Sequence, residues 1–445
     1  MFTLPRIDAG RVAYYEGRAR DPVQLALFDD AGADFDSDTA AVPAGGYEGY
    51  VAGRHDSEGA GRETDVRAGR WTGDLAGRLG LEGEVRSGEL SALLEQRDPR
   101  SGEPLGRRVS DRKRRGPDGR EQTLSARAGW DAQFAPPKSV SVLWAVGDPS
   151  VTREVERAID EGVGAAFRYL QDHAVYTRLG AGGAQRVRGE GLVAATYRHD
   201  TSRSGDPQYH VHGVIANLTY AEGRWLRLDE HALNVHRGAA DRVFQAQLRA
   251  ELTERLGVAW VPGRTEGTFE VAGVSRAVID EHSQRRAQIL ERVGVEASAA
   301  AKAAAALDTR SAKAASQDLE ELRAGWRARA AEHGLGRSEI VGLVDRADRA
   351  LAAPTAELGD HLAGRDGLTR GRSVFEHRHV VADLATGAPG GVRTEPGGGG
   401  RRVSRPGRCR AGRAGGAGGP AGARGGRPLQ HARAARPRAQ PDRVR

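Results

Sequence analysis

The spacing of apolar positions changes several times along this chain, and each change predicts an element. Leu192-Val-Ala-Ala-Thr-Tyr197 is a β-like run closed by His199. A second run carries His210-Val-His212 into Gly-Val-Ile-Ala-Asn-Leu218. Ser204-Gly-Asp-Pro207 supplies turn residues between them, so the segment reads as a hairpin. Residues i and i+2 of a strand share a face, which points His210 and His212 the same way and brings His199 beside them. Residues 139 to 145 alternate small or polar with apolar side chains, as a strand in a half-covered sheet would, and Arg224 to Leu228 predicts a further strand. Helical spacing appears at Val151, Val155, Ile159, Val163, Phe167 and Leu170, behind an Asp148-Pro-Ser cap. Phe244, Leu248, Leu252 and Leu256 form an i, i+4 stripe that stops at Gly257 and reads as core packing.

Elsewhere the patterning is weaker. Asp8 reads as the N-cap of a short helix ending near Gly17, and Arg70 to Leu81 as another short helix. Residues 18–46 are acidic and rich in Ala and Gly, as in a loop insertion. The Ala-, Glu- and Arg-rich stretch 275–335 predicts two or three long helices broken near Asp308, with helical or mixed segments over 336–385. Residues 386–445 become Gly, Ala, Arg and Pro without hydrophobic period. Such a segment cannot bury enough apolar surface to offset its ordering entropy, and so is expected to be disordered. Its abrupt onset suggests out-of-frame translation of a GC-rich gene. The fold class expected is α/β (α+β): an antiparallel sheet of about five strands, helices on one face and the histidines on the other. The divisions expected are 1–270, with the 18–46 insertion, a mainly helical 271–385, and the tail 386–445.

Charge refines this picture. The formal net charge of +7 arises in the tail, where residues 391–445 hold fourteen Arg and two acids; the first 390 residues carry −5. Global charge therefore argues nothing about nucleic acid, whereas a local cluster does: Arg107 to Arg115 has six basic residues, among them Arg112, Arg114 and Arg115, and one acid. That cluster could track a phosphate backbone. The single Cys409 rules out an intramolecular disulfide framework and a Cys-based zinc cluster, in keeping with a reducing cytoplasm. No apolar run approaches the ~20 residues of a membrane span and no signal segment opens the chain, so no membrane insertion is expected.

The chemistry concentrates in His199, His210 and His212. Three neutral imidazoles without a fourth protein ligand make the pattern of a catalytic metal site that keeps positions open for substrate. Imidazoles accept Mg- or Mn-type chemistry as well as Zn or Ni, so the residue types imply a divalent ion without choosing it.

Three features occur in order: paired tyrosines near the N-terminus (Tyr14-Tyr15-Glu-Gly17), Asp131 ahead of Pro-Lys138-Ser-Val-Ser, and His-x10-His-x-His. Together they resemble conjugative relaxases of the TrwC/TraI (MobF) type, within the His-hydrophobe-His nicking endonucleases, over roughly residues 10–335. The resemblance implies a palm-like relaxase domain that nicks and rejoins one DNA strand at a plasmid transfer origin through a covalent 5′-phosphotyrosyl intermediate. It further implies His199, His210 and His212 as ligands of a divalent metal, Mg or Mn in the cell, and Tyr14 as nucleophile with Tyr15 close behind. Tyr47 and Tyr50 stand where relatives carry a second tyrosine pair, here written Tyr-Glu-Gly-Tyr. Asp131 matches an acid beside the metal, able to take a proton or to orient an imidazole through its second N–H. Lys138 would meet a neighbouring phosphate, and Trp130 and Trp144 bases or core, the core being favoured for Trp144. The partners implied are single-stranded or hairpin DNA at the origin, with accessory relaxosome and coupling proteins. Relatives usually continue into a helicase. This chain has only Lys113, Lys138, Lys302 and Lys313 and no Gly-x4-Gly-Lys-Ser/Thr loop, so no ATPase or helicase activity is expected of it. Two other readings stay open: a rolling-circle replication initiator, and a catalytically inactive, truncated single-stranded-DNA-binding relative. His173, His231 and His236 lie outside the motif and are read as structural or solvent-exposed.

Overall fold

The computed structural model describes residues 2–8, 69–107, 112–115, 121–124, 127–202, 204–265, 267–308, 318–346, 356–365, 367–368, 370 and 374–393. The described chain opens with β1 (Phe2–Thr3) and β2 (Arg6–Asp8) and continues with β3 (Arg70–Thr72) and α1 (Glu89–Leu94). A hairpin of β4 (Arg112–Arg115) and β5 (Glu121–Leu124) precedes the long strand β6 (Arg127–Phe134). Helices α2 (Lys138–Val146) and α3 (Pro149–Ala174) follow, then a ribbon of β7 (Tyr176–Leu179) and β8 (Gln185–Arg188). The histidine hairpin is β9 (Ala194–Thr201) and β10 (Pro207–Ala216); a smaller one is β11 (Thr219–Ala221) and β12 (Arg224–Leu226). Helix α4 (Glu230–Leu256) leads into a ribbon of β13 (Trp260–Pro262) and β14 (Phe269–Val271). The helices after it are α5 (Arg276–Glu281), α6 (Gln284–Val293), α7 (Ala299–Asp308), α8 (Leu319–Glu332), α9 (Arg337–Val341), α10 (Ala356–Ala363) and α11 (His377–Gly387).

The central sheet is antiparallel and runs β1-β6-β10-β9-β3, with β2 also paired to β6, which makes six strands among the described residues where about five were expected. Alternation decides what each face carries. Trp130, Ala132 and Phe134 of β6, with Tyr209, Val211 and Ile215 of β10, enter the main core beneath α2, α3 and α4. Phe134 sits among Phe2, Phe167 and Phe244, with ring centroids 4.8, 5.7 and 5.5 Å away. Burying one such ring contributes about 1.5–3 kcal/mol. The sheet and α3 approach so closely at Gly213 that a Cβ there would lie 2.6 Å from the Phe167 ring. The opposite face carries Asp131, Gln133, His210 and His212; beyond them α1 covers Tyr197 and Val214 with Leu90 and Leu94. The core continues into the later helices through Val278, Trp326 and Ala330, and into the turn after α9 through Leu343.

Both long helices follow their pattern. Asp148 caps α3, accepting from the amides of Ser150 (2.8 Å) and Val151 (3.0 Å), and Gly257, at φ 62°, ends α4.

Several expectations need correction. Residues 139–145 form a helix, α2, and the strand of this region lies upstream at 127–134. Residues 139–146 of α2 are all buried, so solvent imposes no amphipathic period and the Ser-Val-Ser-Val alternation says nothing about strand pleat. Pro137 cannot cap this helix; the Glu270 carboxylate, from β14, accepts the Ser139 amide (3.1 Å) and its hydroxyl instead. Arg70 to Leu81 begins as edge strand β3, and only Gly77–Leu79 turns helically. Gly73, at φ +96° and packed against the Leu192 carbonyl, breaks the run. Asp8 ends β2, and the helix expected after it lies outside the described residues. Among the described residues, the stretch expected as two or three long helices holds four shorter ones, α5 to α8. At the first break the Ser283 hydroxyl and a His282 ring nitrogen bond the carbonyls of Ile279 and Val278, and at the second Gly294 takes φ 83°. The 18–46 insertion and residues 394–445 of the tail also fall outside the described residues, whereas the start of that tail, expected disordered from 386, is ordered: α11 runs to Gly387 and Arg249 of α4 donates to the Pro389 carbonyl at 3.1 Å. Among those described, no helix is long and apolar enough to cross a membrane.

Candidate metal centre

The hairpin expected from sequence forms, and its register places His199 directly opposite His210, with Tyr197 opposite His212. On β6, Gln133 faces His212 and Asp131 faces Val214, so the carboxylate shares the histidines' face. The ring centroids of His199, His210 and His212 are 4.7 to 5.1 Å apart, and one ligand nitrogen from each lies within 4.8 Å of the others. His210 and His212 are buried, while His199 is half-exposed and forms the outer side of the group.

The second nitrogens of two rings are engaged. His210 Nδ1 is 2.8 Å from the Gln208 carbonyl, and His212 Nδ1 is 3.0 and 2.9 Å from Oδ1 and Oδ2 of Asp131. A carbonyl or carboxylate oxygen only accepts, so each Nδ1 carries a hydrogen, which in a neutral ring leaves Nε2 with the lone pair. Burial, reinforced by the neighbouring His212, pushes His210 down to about 3, so its imidazole is neutral. Neutral rings with oriented lone pairs suit a divalent cation; protonated rings would repel it. Those nitrogens are the atoms that could hold the ion, and the donor set does not select among metals.

Asp131 is itself held. Gln133 Nε2 donates to its Oδ2 at 3.0 Å, and Thr3 Oγ1 donates to Gln133 Oε1 at 3.4 Å. The order Thr3, Gln133, Asp131, His212 thus aims one ring from the sheet's edge strand inward. Gln133 escaped the sequence reading. Its signal was the i, i+2 pair with Asp131, visible only once the strand is placed at 127–134.

Lys138 sits at the first turn of α2, and its Nζ donates to the Pro207 carbonyl at 3.2 Å, against the turn of the histidine hairpin. Trp130 and Trp144 are both fully buried, so neither offers a face to a base; for Trp144 the core placement expected from sequence holds. Arg112, Arg114 and Arg115 lie on β4, where Arg115 and Lys113 are exposed and Lys113 pairs with Glu121 at 3.3 Å. Tyr14, Tyr15, Tyr47 and Tyr50 lie outside the described residues. His173 and His236 are half-buried and pack near Tyr169 and His377, away from the triad, and His231 is exposed.

Comparison with known proteins agrees with this geometry. The family model for TrwC relaxase matches residues 44–333. The multifunctional conjugation protein TraI of Escherichia coli is 31% identical over 301 residues, which cover 66% of this chain and 16% of that protein. TraI of Escherichia coli strain K12 is 32% identical over 247 residues, covering 54% and 13%. The chain thus spans under a fifth of the length of these relatives. Among solved structures, the conjugative relaxase TrwC in complex with oriT DNA, metal-free, superposes with a TM-score of 0.56 at 26% identity, covering 75% of this chain and 99% of that one. Its metal-bound complex gives 0.52 at 28%, with the same coverage, and a copper-bound complex 0.51 at 30%, covering 62% and 89%. A matching family model over most of the chain, the shared antiparallel fold and the clustered histidines lead to one conclusion: the chain belongs to the TrwC family of MobF-type conjugative relaxases.

Proposed function

We propose that this chain is a metal-dependent DNA relaxase: it cuts and rejoins one strand at a plasmid transfer origin, in the cytoplasm, and so starts conjugative transfer. The observation that carries the reading is the trio of imidazoles on one sheet face, two of them with their tautomer set by a Gln208 carbonyl and the Asp131 carboxylate. A phenol of pKa near 10 is a weak nucleophile at neutral pH and a phosphodiester carries negative charge, so the reaction needs a cation at the phosphate. His199, His210 and His212 would hold a divalent ion, Mg or Mn in the cell with Zn or Ni as substitutes, which would supply that positive charge at the phosphate.

The remaining work falls to the chain. Tyr14, with Tyr15 as its neighbour and Tyr47 and Tyr50 as a second set, supplies the attacking oxygen. The new bond joins that oxygen to phosphorus, the bond from phosphorus to the 3′ oxygen breaks, and the phenol's proton ends on the released 3′ hydroxyl. One phosphoester replaces another, so the reverse reaction reseals the strand without ATP. Asp131, already accepting from His212 and Gln133, acts as the orienting group. Lys138 and the β4 arginines Arg112, Arg114 and Arg115 provide phosphate contacts. Residues 1–270 form the catalytic part and 271–385 a helical extension; accessory relaxosome and coupling proteins are its partners.

The test is incubation of the full chain with a labelled single-stranded oligonucleotide carrying its cognate origin, with Mn or Mg. A covalent protein–DNA adduct is expected, abolished by EDTA and lost in Tyr14→Phe. Binding without adduct would instead identify a catalytically inactive relative, and an adduct only on a replication-origin sequence would identify a replication initiator.

A further inference from the structure

The ladder between β9 and β10 pairs His199 with His210 but becomes irregular immediately beyond them, before the turn. Pairing is regular from Ala194 opposite Ile215 as far as His199 opposite His210, then slips, so that Thr201 faces Pro207. A bulge of this kind interrupts the ladder locally and increases twist, and it falls between the facing histidines and the turn that joins their strands. The turn must therefore be held by something else.

Within it, the Ser202 amide donates to the Asp206 carbonyl (2.9 Å), the Ser202 hydroxyl accepts from the Asp206 amide (3.2 Å), and Gly205 takes φ +75°. From outside, three helices grip it. Asp206 Oδ2 accepts the Arg285 amide in the first turn of α6 (3.2 Å), and the Trp326 indole N–H of α8 donates to the Gly205 carbonyl (2.9 Å). Ser204 Oγ donates to Gln288 of α6 (3.2 Å), and Lys138 Nζ of α2 reaches the Pro207 carbonyl (3.2 Å). Asp206 is 1% exposed and Trp326 fully buried. A carboxylate so deeply buried is expensive unless hydrogen-bonded, and the N-terminal end of a helix is where it is best tolerated. Trp326 also continues inward: its ring lies 6.1 Å from Trp144, which lies 5.1 Å from Tyr209, the residue before His210.

We infer that Asp206 and Trp326 are positioning residues for the metal centre, through which α6 and α8 splint the hairpin turn and keep His199 in reach of His210 and His212. This rests on the proposed role of those histidines as metal ligands. The helices beyond residue 275 are then part of what sets metal affinity, although none of them carries a ligand.

The experiment titrates the full-length protein with cobalt(II), reading both the dissociation constant and the visible absorption band, whose shape reports ligand geometry. Asp206→Ala and Trp326→Phe are each expected to weaken cobalt binding about tenfold and to alter the band. Asp206→Asn, which keeps an oxygen for the Arg285 amide, should recover most of the affinity. Trp326→Phe retains the ring in the core and keeps the test valid should Asp206→Ala fail to fold by circular dichroism. Wild-type affinity and an unchanged band in the folded variants would overturn the inference alone. Failure of the wild-type chain to bind cobalt any better than His199→Ala would overturn the metal centre and this inference with it.

Discussion

Replacing Asp131 by Asn tests how the sheet sets the metal centre. Asp131 offers two oxygens, at 3.0 and 2.9 Å from His212 Nδ1, and the nearer one also accepts from Gln133 Nε2 at 3.0 Å. Asn has the same shape with only one acceptor. If its oxygen takes the shared position, its amide faces His212 Nδ1 as a second donor. That oxygen, 2.9 Å from Nδ1, still accepts its hydrogen, but the amide donor beside it opposes the bond and favours moving the hydrogen to Nε2, the nitrogen that must stay bare for a metal. If the tautomer holds, a charged acceptor has become a neutral one. Hydrogen bonds to charged groups contribute about 1.5–3 kcal/mol and neutral ones about 0.5–1.5, so the change costs about 1–2 kcal/mol. At about 1.4 kcal/mol per decade, metal affinity should fall roughly 5- to 30-fold. Chelator competition with Mn measures that constant directly. Adduct formation should drop most at limiting metal and partly recover at saturation. Unchanged Mn affinity in a folded Asp131→Asn protein would refute the orienting role.

Two further outcomes follow from the packing. His236 Nδ1 lies 2.8 Å from the Tyr169 hydroxyl; burial first, then His173 and Arg378 (Glu376 opposing and Arg186 adding), push it down to about 4. Burial, then His377, lowers His173 as well. The unfolded chain, with His near 6.5, binds more protons than the folded one between these values, so stability is full above about pH 6.5 and is lost as pH falls toward 4. His236→Gln should flatten the loss of denaturation midpoint between about pH 7 and pH 5, and an unaltered slope would count against a buried neutral ring. Gly213→Ala would set a Cβ 2.6 Å from Phe167 and should cost about 1–3 kcal/mol of stability, read as a lower Tm, with Phe167→Leu relieving it in the double variant; a neutral single substitution would contradict the close approach of strand and helix.

Much of the site was legible without coordinates because strand alternation is a local property. His210 and His212 share a face by spacing alone, and turn residues between two β-like runs bring His199 opposite. The long helices α3 and α4 were equally legible: α3 has one face on the core and polar residues elsewhere, and α4, although buried all round over 246–253, keeps its apolar stripe Phe244, Leu248, Leu252 and Leu256. Residues 139–145 were misread because a fully buried helix has no solvent face to impress a period on its sequence. The strand at 127–134 was overlooked because its alternation is between Trp, Ala and Phe on one side and Gly, Asp and Gln on the other, a pattern too polar to stand out.

Sequence by itself determined which side chains are available and which of them neighbours along a strand must share: three imidazoles, one turn, one acid nearby. Tertiary structure alone decided which nitrogen of His212 carries the hydrogen, through Asp131 and Gln133 on a strand more than 60 residues before the histidines. It also decided that the turn is gripped by Arg285 and Trp326, from helices far downstream. Those contacts depend on how the sheet, α2 and the later helices pack around one core, and packing between distant segments leaves no periodic mark on either of them.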